Sequence, residues 1–581
     1  MKRLELKALC LMMALCSTLT SWGEDFVVDG LKYTIKNGSV MVIANTEKYT
    51  GDIVIPATVE HDGQTYKVAS IGNNAFRDCK NMTSITISEG VTLIDFSAFY
   101  GCEGLTELVL PNSVDSIGEQ VARDCKSVTK LVIGEGLKYL PRQTFYGMEN
   151  LESVTFGSNL VEIGQEDFYG CKKLPSVKFP EQLHTIGIGA FNNCQLLDNV
   201  TIPSSVRTIR NNAFRDCKGM TSITINEGVT LIDFGAFYGC EGLKELVLPN
   251  SVETVGEQLA RDCKSVTKLV IGEGLKYLPK QTFYGMESLE SVTFGSNLVE
   301  IGQEDFYGCK KLPSVKLPEQ LQTIGINAFG NCLLLDNIVI PSSVRTISNN
   351  AFRDCKNMTS ITINEGVTLV DFGAFYGCEK LPTLTLPNSV TEIGEQLARS
   401  CDVLTTVTLG DGLKVVSKQA FYGLKNLETV KLGAQVEQIE IQAFFESKAI
   451  KTIQLLNPTP ATWYRENDTF SSDIYTTCTL YVPEGSAEAY KAADGWKNFY
   501  NIKEGDPSSV SNATNDNALA VYAAGSAVVI KSAANMPFSI YNAGGSLEAS
   551  GKTVAGETKV AVNAKGICIV KVGSEVLKIT L

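Results

Sequence analysis

From residue 71 onward an aliphatic residue returns every 23 positions, at Ile71, Ile94, Ile117 and Leu140, and on without insertion to Val416 and Ile439. Behind each of these seventeen aliphatics follows the same frame, I-x-x-x-A-F-x-x-C-x-x-L-x-x-V-x-I. Each unit holds one stretch of period-two alternation, such as Glu107-Leu108-Val109-Leu110 or Ser291-Val292-Thr293-Phe294. Alternation of this kind predicts a short strand whose aliphatics (Leu108 and Leu110) point inward. The A-F-x-x-C segment is too short for a full helix and predicts a turn of helix or a tight irregular arc.

A 23-residue unit cannot bury its own apolar face, so the units must stack into a solenoid. Strands about 4.8 Å apart give an array of roughly 80 Å. Several large side chains per rung, each contributing about 1.5–3 kcal/mol when buried, make stacking the dominant stabilising term. One irregularity supports the inward assignment. Most units carry a small-then-large pair such as Ala98-Phe99, whereas Val121-Ala122, Leu259-Ala260 and Leu397-Ala398 reverse it. Bulk moves by one position but is conserved, as a packed interior requires. Residues 71–208 and 209–346 are near copies, and a more diverged third copy begins at Ile347. The chain therefore grew by duplication of 138-residue blocks of six units.

The predicted fold is mainly β with short helical or irregular arcs: a solenoid of seventeen 23-residue units over 71–455, with β-rich caps at 24–70 and 456–505. An array open at both ends needs such caps. Phe26–Tyr33 and Gly51–Pro56 predict strands in the first cap; Leu480–Pro483, Tyr490, Trp496 and Phe499 are suited to cover the last rung. A Ser-, Asn-, Asp- and Pro-rich linker is predicted at 506–518. Residues 519–581 predict a separate small β-sandwich-like domain, with strands at Ala527–Lys531, Phe538–Tyr541, Lys559–Val562 and Gly566–Leu581.

Residues 1–23 predict a signal peptide. Lys2, Arg3 and Lys7 precede an apolar run from Ala8 to Cys16 that is too short to span a bilayer. Cys10 and Cys16 follow leucines, not the small residue a lipid-anchor signal requires. No other segment predicts a transmembrane helix, and an exported protein, secreted or held at the cell surface, is expected. The formal net charge of −13 argues against nucleic acid as a partner.

The residue types that carry chemistry occur in the wrong pattern for catalysis. Thirteen of the 17 cysteines occupy one repeat position. Met148, Met286 and Leu424 fill the same slot, and Ser447 fills the last one. Methionine and leucine replace a buried thiol but not a cystine or a metal ligand, so the slot reads as core. Only two histidines exist, and His184 becomes Gln322 in the next block. Glu89, Glu227 and Glu365, like Asp95, Asp233 and Asp371, recur once per block, which points to turn or surface roles. No phosphate-loop spacing occurs among the glycine-rich turns. No enzyme, cofactor or metal site is expected.

The frame at Ile186 to Pro203 resembles the BspA-like leucine-rich repeats of surface proteins from Gram-negative gut and oral anaerobes, and the resemblance covers roughly residues 25–505. It implies attachment to extracellular matrix proteins. The ending GICIVKVGSEVLKITL is similar to small C-terminal β-domains of exported proteins in the same bacteria, some of which serve as type IX secretion sorting signals. The residues expected to meet a partner are the outward strand positions. Val109, Val132, Val247 and Val270, with Lys130, Lys178, Lys268 and Lys316, form a mildly apolar strip beside charges. The expected partners are extracellular proteins, host matrix or other surface proteins, or glycans. The competing expectation is a non-catalytic scaffold or nutrient-capture component of the cell envelope. Nothing in the pattern fixes an oligomeric state.

Overall fold

The structure is a computed structural model that describes residues 23–465, 468–506 and 519–580, except 525–526, 533–534, 555, 564–566 and 574. All but the last residue of the predicted signal peptide, and all but Asp506 of the predicted linker, lie outside the described residues. The chain divides into two compact units, one holding the array and the other the C-terminal strands.

The first unit is the parallel solenoid, with two strands per rung. Strands of three to four residues pair in register one rung apart, as Lys130–Ile133 does with Glu107–Leu110 and Ser153–Thr155. Two-residue strands at the leading aliphatic form a second ladder, Ile163 beside Ile186 and Ile186 beside Ile209. Leu108 and Leu110 are buried as the alternation requires, and Val121 and Ala122 are both fully buried despite their reversed order. The seventeen exact units are extended by one irregular turn from each cap, making about nineteen turns in all. At the start, Val42 pairs with Ile71 and Gly51–Ile55 with the strand Met82–Ile87. At the end, Ile439 pairs with Trp463 and the Phe470 ring stacks on Phe444. Tyr490, Trp496 and Phe499 are buried there, and the Trp496 indole donates to the Ala461 carbonyl at 2.7 Å.

The A-F-x-x-C segment is an arc with no helix. Alternate amides bond backwards within the rung and forwards to the next one. In the first rung Ala75, Arg77 and Cys79 donate three residues back, while Asn74, Phe76 and Asp78 donate to Phe96, Ala98 and Tyr100 of the following rung. This alternation places two residues per rung, four apart, at positive φ: Asn74 and Asp78, Gln120 and Asp124, Gly373 and Gly377. Only residues that tolerate the left-handed region are favoured there. That explains why Asp, Asn and Gly dominate the position just before the repeat cysteine. Inside the arc the phenylalanines form a column, with Phe168, Phe191 and Phe214 stacked at 5.2 and 5.5 Å.

The cysteine slot is core, but it is more than an apolar space. The described cysteines are all free and buried. From Cys102 to Cys401 each thiol donates to the carbonyl of the preceding rung's phenylalanine, as Cys217 does to Phe191 at 3.1 Å. Ser447 makes the same bond to Phe421 at 2.9 Å. The slot thus selects a small donor that supplies a buried carbonyl with a second hydrogen bond, and burial pushes the thiols of Cys194, Cys263 and Cys355 well above their ordinary pKa.

Two rungs break the rule. Proline follows the leading aliphatic at Pro141 and Pro279, where regular rungs have an amide. At regular rungs the next-rung amide bonds to that aliphatic's carbonyl, as Gly187 does to Ile163 at 2.8 Å. Here Gly164 turns instead to the carboxylate of Asp167 at 2.6 Å, which also accepts the Thr144 amide at 3.0 Å. Asp305 does the same for Gly302 and Thr282. Both aspartates are completely buried, and burial pushes their carboxyls up to about 7. In the third block Ser417, Ala420 and Ala443 replace the Pro–Thr–Asp set together. There Glu440, equivalent to Gly164, returns to the regular bond with Val416 at 2.9 Å.

The C-terminal unit contains two antiparallel sheets, Ala520–Ala524, Ala527–Ser532 and Gly556–Ala561 in one, and Pro537–Asn542, Leu547–Lys552, Ile567–Val572 and Glu575–Thr580 in the other. Val528, Ile530, Phe538, Ile540, Cys568 and Val570, drawn from both sheets, belong to one apolar cluster.

Candidate functional site

One rung of the first block, and the equivalent rung of the second, contributes no strand to the ladder. The segment from Pro175 to Pro180, which ought to continue the ladder beyond Ser153–Thr155, forms no strand and keeps only a bridge from Lys178 to Thr201. Proline at both ends removes two amide donors from the segment, but prolines at the same two repeat positions, Pro382 and Pro387, bracket a regular strand, Thr383–Thr385, so the prolines alone do not set the opening. Val154 and Phe156, at positions that are buried in regular rungs, become half-exposed. The result is a cleft of about 1040 Å³ floored by Phe156 and flanked by Lys138, Tyr139 and Lys178. A second cleft of about 830 Å³, with Lys276, Tyr277, Phe294 and Lys316, lies 138 residues further on. The two linings differ only in Phe179 against Leu317 and His184 against Gln322. In the third block Val430 and Leu432 are buried and the strand Thr452–Leu455 pairs normally, so the cleft is closed there.

The rim of each cleft is held rigid by the rung before it. Glu135 accepts hydrogen bonds from the amide and hydroxyl of Ser158, both at 2.6 Å, and its carbonyl accepts from the Asn159 side chain. These bonds to Ser158, hydroxyl first, hold the Glu135 carboxyl below its usual range. Glu273 fixes Ser296 and Asn297 identically. Gly157 permits the turn to stack this closely, since a Cβ there would come within 2.3 Å of the Gly134 carbonyl oxygen.

Charge distinguishes the clefts from the rest of the strand face. The predicted strip residues Lys130 and Lys268 are neutralised by Glu107 and Glu245 on the neighbouring strands, at 2.5 and 2.6 Å. Val109 and Val247 are exposed between these pairs, whereas Val132 and Val270 are half-buried. Lys178 and Lys316 lie apart from the other six strip residues, inside the clefts, and among the described residues neither they nor Lys138 and Lys276 take part in an ion pair. The third block shows why. Lys414, equivalent to Lys138, faces Glu437 at 3.8 Å, where the first two blocks place Val161 and Val299.

The sequence reading passed over Tyr139, Phe156 and Lys138. The nearest signal is the pair Pro175 and Pro180, repeated at Pro313 and Pro318, but the third block carries the same pair at Pro382 and Pro387 around a regular strand, so it does not single out the clefts. It also passed over the stacks on the arc face, where Arg123 lies 4.3 Å over Tyr146, itself stacked on Tyr169 at 4.8 Å. The recurring Glu89, Glu227 and Glu365 prove to clamp the next rung's turn. Each accepts two backbone amides, as Glu227 does from Asn250 and Ser251 at 3.1 and 2.8 Å. One cluster of metal-ligand types occurs among the described residues, Glu24, His61 and Asp62, but the His61 ring is stacked on Phe26 at 3.9 Å.

Comparison with known proteins settles the family. The BspA type leucine-rich repeat region matches residues 64–166, 138–267, 231–359 and 345–472. The chain belongs to this family. Among solved structures, this BspA-type chain is similar to a leucine-rich repeat protein from Bacteroides ovatus, at 22% identity over 76% of this chain and 100% of that one, with a TM-score of 0.46. It is also similar to one from Eubacterium ventriosum, at 25% identity over 57% and 95% of the two chains (TM-score 0.33). A leucine-rich cell surface protein from Faecalibacterium prausnitzii shares 17% identity over 84% and 96% (TM-score 0.26). No curated protein matches. No helix among the described residues is long and apolar enough to cross a membrane.

Proposed function

We propose that this BspA-type solenoid is exported and works at or beyond the cell surface as a non-catalytic binding protein, engaging extracellular proteins or glycans through its strand face. One observation carries the reading. The only two rungs of the first two blocks that carry no strand on that face form equivalent, rigidly rimmed clefts with exposed aromatics and with lysines outside any ion pair among the described residues. A surface repeated in this way gains avidity against a repetitive partner without any new contact. On this reading Lys178 and Lys316 make the productive contacts, and the paired Lys130 and Lys268 with Val109, Val132, Val247 and Val270 form the surrounding face.

The test is saturable binding of the full chain to immobilised matrix proteins and glycans, with Lys178→Glu and Lys316→Glu introduced together. Binding that ignores both substitutions would move the site elsewhere, and no binding at all would leave a scaffold role in the envelope as the better account. The C-terminal strands are proposed to act in sorting. Deleting 519–581 should then trap the protein inside the cell or periplasm, whereas unchanged delivery would make that unit structural.

A further inference from the structure

We infer that the two clefts hold successive segments of one anionic polysaccharide, a chain bearing carboxylate or sulfate groups at regular intervals. The inference deepens the proposed function and rests on the clefts being binding sites.

The chemistry of the lining points to the ligand class. Each cleft's lining presents two lysines and one carboxylate, Glu181 in the first and Glu319 in the second. The rim carboxylates of Glu135 and Glu273 are already engaged by Ser158 and Ser296, on a chain whose overall charge is −13. A local cationic surplus on an acidic protein favours an anion over a neutral or cationic partner. The lysines are without ion-pair partners among the described residues, so they meet a ligand anion without first breaking an internal pair. Tyr139 and Tyr277 are each 59% exposed, the flat apolar surface on which the C–H face of a sugar ring packs. Asn159 and Gln182 beside them offer amide groups of both polarities to ring hydroxyls. An acidic peptide would be served by the lysines but has no need of the exposed rings.

Repetition supplies the second argument. Six rungs at about 4.8 Å separate the clefts by roughly 29 Å along the ladder. Two sites of near-identical lining at a fixed spacing suit a ligand that offers the same group at many intervals, which a polymer of repeating sugars does and a folded protein surface does not. The third block keeps the rim bond, from the Ala434 amide to Asp411 at 2.9 Å, but loses the open rung, the ring and the free charge together. Val415 stands in place of Tyr139, Gln454 in place of Lys178, and Glu437 neutralises Lys414. Closing the ladder, losing the ring and losing the free charge together is the pattern expected if these parts serve one site.

The experiment is calorimetric titration of the full chain with polygalacturonate and dextran sulfate, each as short oligomers and as long chains, with neutral dextran and poly-glutamate as comparisons. Short anionic oligomers should bind with two sites per chain, falling to one in Lys138→Glu/Lys178→Glu and to none when Lys276→Glu and Lys316→Glu are added. Long chains should bind the wild type at least about a hundredfold more tightly than short ones, an advantage lost when either cleft is charge-reversed. Tyr139→Ala/Tyr277→Ala should weaken polysaccharide binding about tenfold while leaving the melting temperature unchanged. Equal binding of neutral dextran, an unchanged site count in the reversed variants, or poly-glutamate bound as tightly and without dependence on the tyrosines would each overturn the inference. If no polysaccharide binds but an extracellular protein is bound and then released by the same lysine substitutions, this inference fails while the proposed function stands.

Discussion

Removing the Asp167 carboxylate should destabilise the array in acid and much less at alkaline pH. Two opposing terms fix that outcome. Asp167→Ala strands two buried amides, those of Thr144 and Gly164. Each unsatisfied donor costs about 1–3 kcal/mol, so the loss is about 2–6 kcal/mol wherever the carboxyl would have been in place. Against this, burial raises the folded-state carboxyl to about 7, above its ordinary value in the unfolded chain. Between about pH 4 and pH 7 the folded protein therefore holds a proton that the unfolded chain has released. The stability this contributes is fully present below about pH 4, is lost as pH rises to about 7, and stays lost above it. The slope is about 1.4 kcal/mol per pH unit, on the order of 4 kcal/mol across the window. Wild type should thus fall towards Asp167→Ala as pH rises, the gap shrinking by most of that amount. Thermal and urea unfolding from pH 4.5 to 8.5 would measure it, with hydrogen exchange at Gly164 and Thr144 as a local readout, because long arrays need not unfold as one unit. The third-block set, Pro141→Ser with Thr144→Ala and Asp167→Ala, should recover most of the loss by restoring the regular bond. A gap that is the same at pH 4.5 and 8.5 would refute the buried-proton reasoning. A triple variant no better than the single would refute the account of why the three residues change together.

Native thiols should resist alkylation and react only on unfolding, since the repeat cysteines are buried and hydrogen-bonded; prompt labelling of the folded chain would contradict the slot described above. Cys240→Ser should stay close to wild type in urea unfolding because Ser447 shows that the hydroxyl makes the same bond, whereas Cys240→Ala should lose about 1–2 kcal/mol. Phe214→Ala interrupts the ring column between Phe191 and Phe237 and should cost about 3–5 kcal/mol, read as new proteolytic cleavage near that rung. Trp496→Ala uncovers the final turn beneath Phe470, and limited proteolysis should then begin at that end of the array.

Much of this molecule is legible along the chain, because a 23-residue period leaves each rung only one way to bury its aliphatics. Ile71 to Ile439 fix the register, Leu108 and Leu110 fix the inward face, and the exchange at Val121-Ala122 shows that volume is conserved. The replacement of cysteine by Met148 and Leu424 identifies a core slot without coordinates. What periodicity cannot carry is any property that depends on which atoms of adjacent rungs meet. The thiol-to-carbonyl bonds and the Glu227 clamp join residues 23 to 26 apart, and the paired positive-φ residues of the arc follow from its bonds to the next rung; all depend on the stacked backbone.

The clefts mark the same division. The prolines at their edges, Pro175 and Pro180, are plain in the sequence, yet the same pair at Pro382 and Pro387 brackets a regular strand. Only stacking decides whether a missing amide becomes an opening, because a strand's amides matter when a neighbouring strand is there to accept from them. Likewise the sequence lists Lys130 and Lys178 as equal members of one strip, and the tertiary structure separates them by pairing the first with Glu107 and leaving the second outside any ion pair among the described residues. The sequence alone therefore determined the solenoid, its register and its buried face, since those follow from local hydrophobic spacing. Where the solenoid opens, and which of its charges remain available to a ligand, were decided only by contacts between rungs.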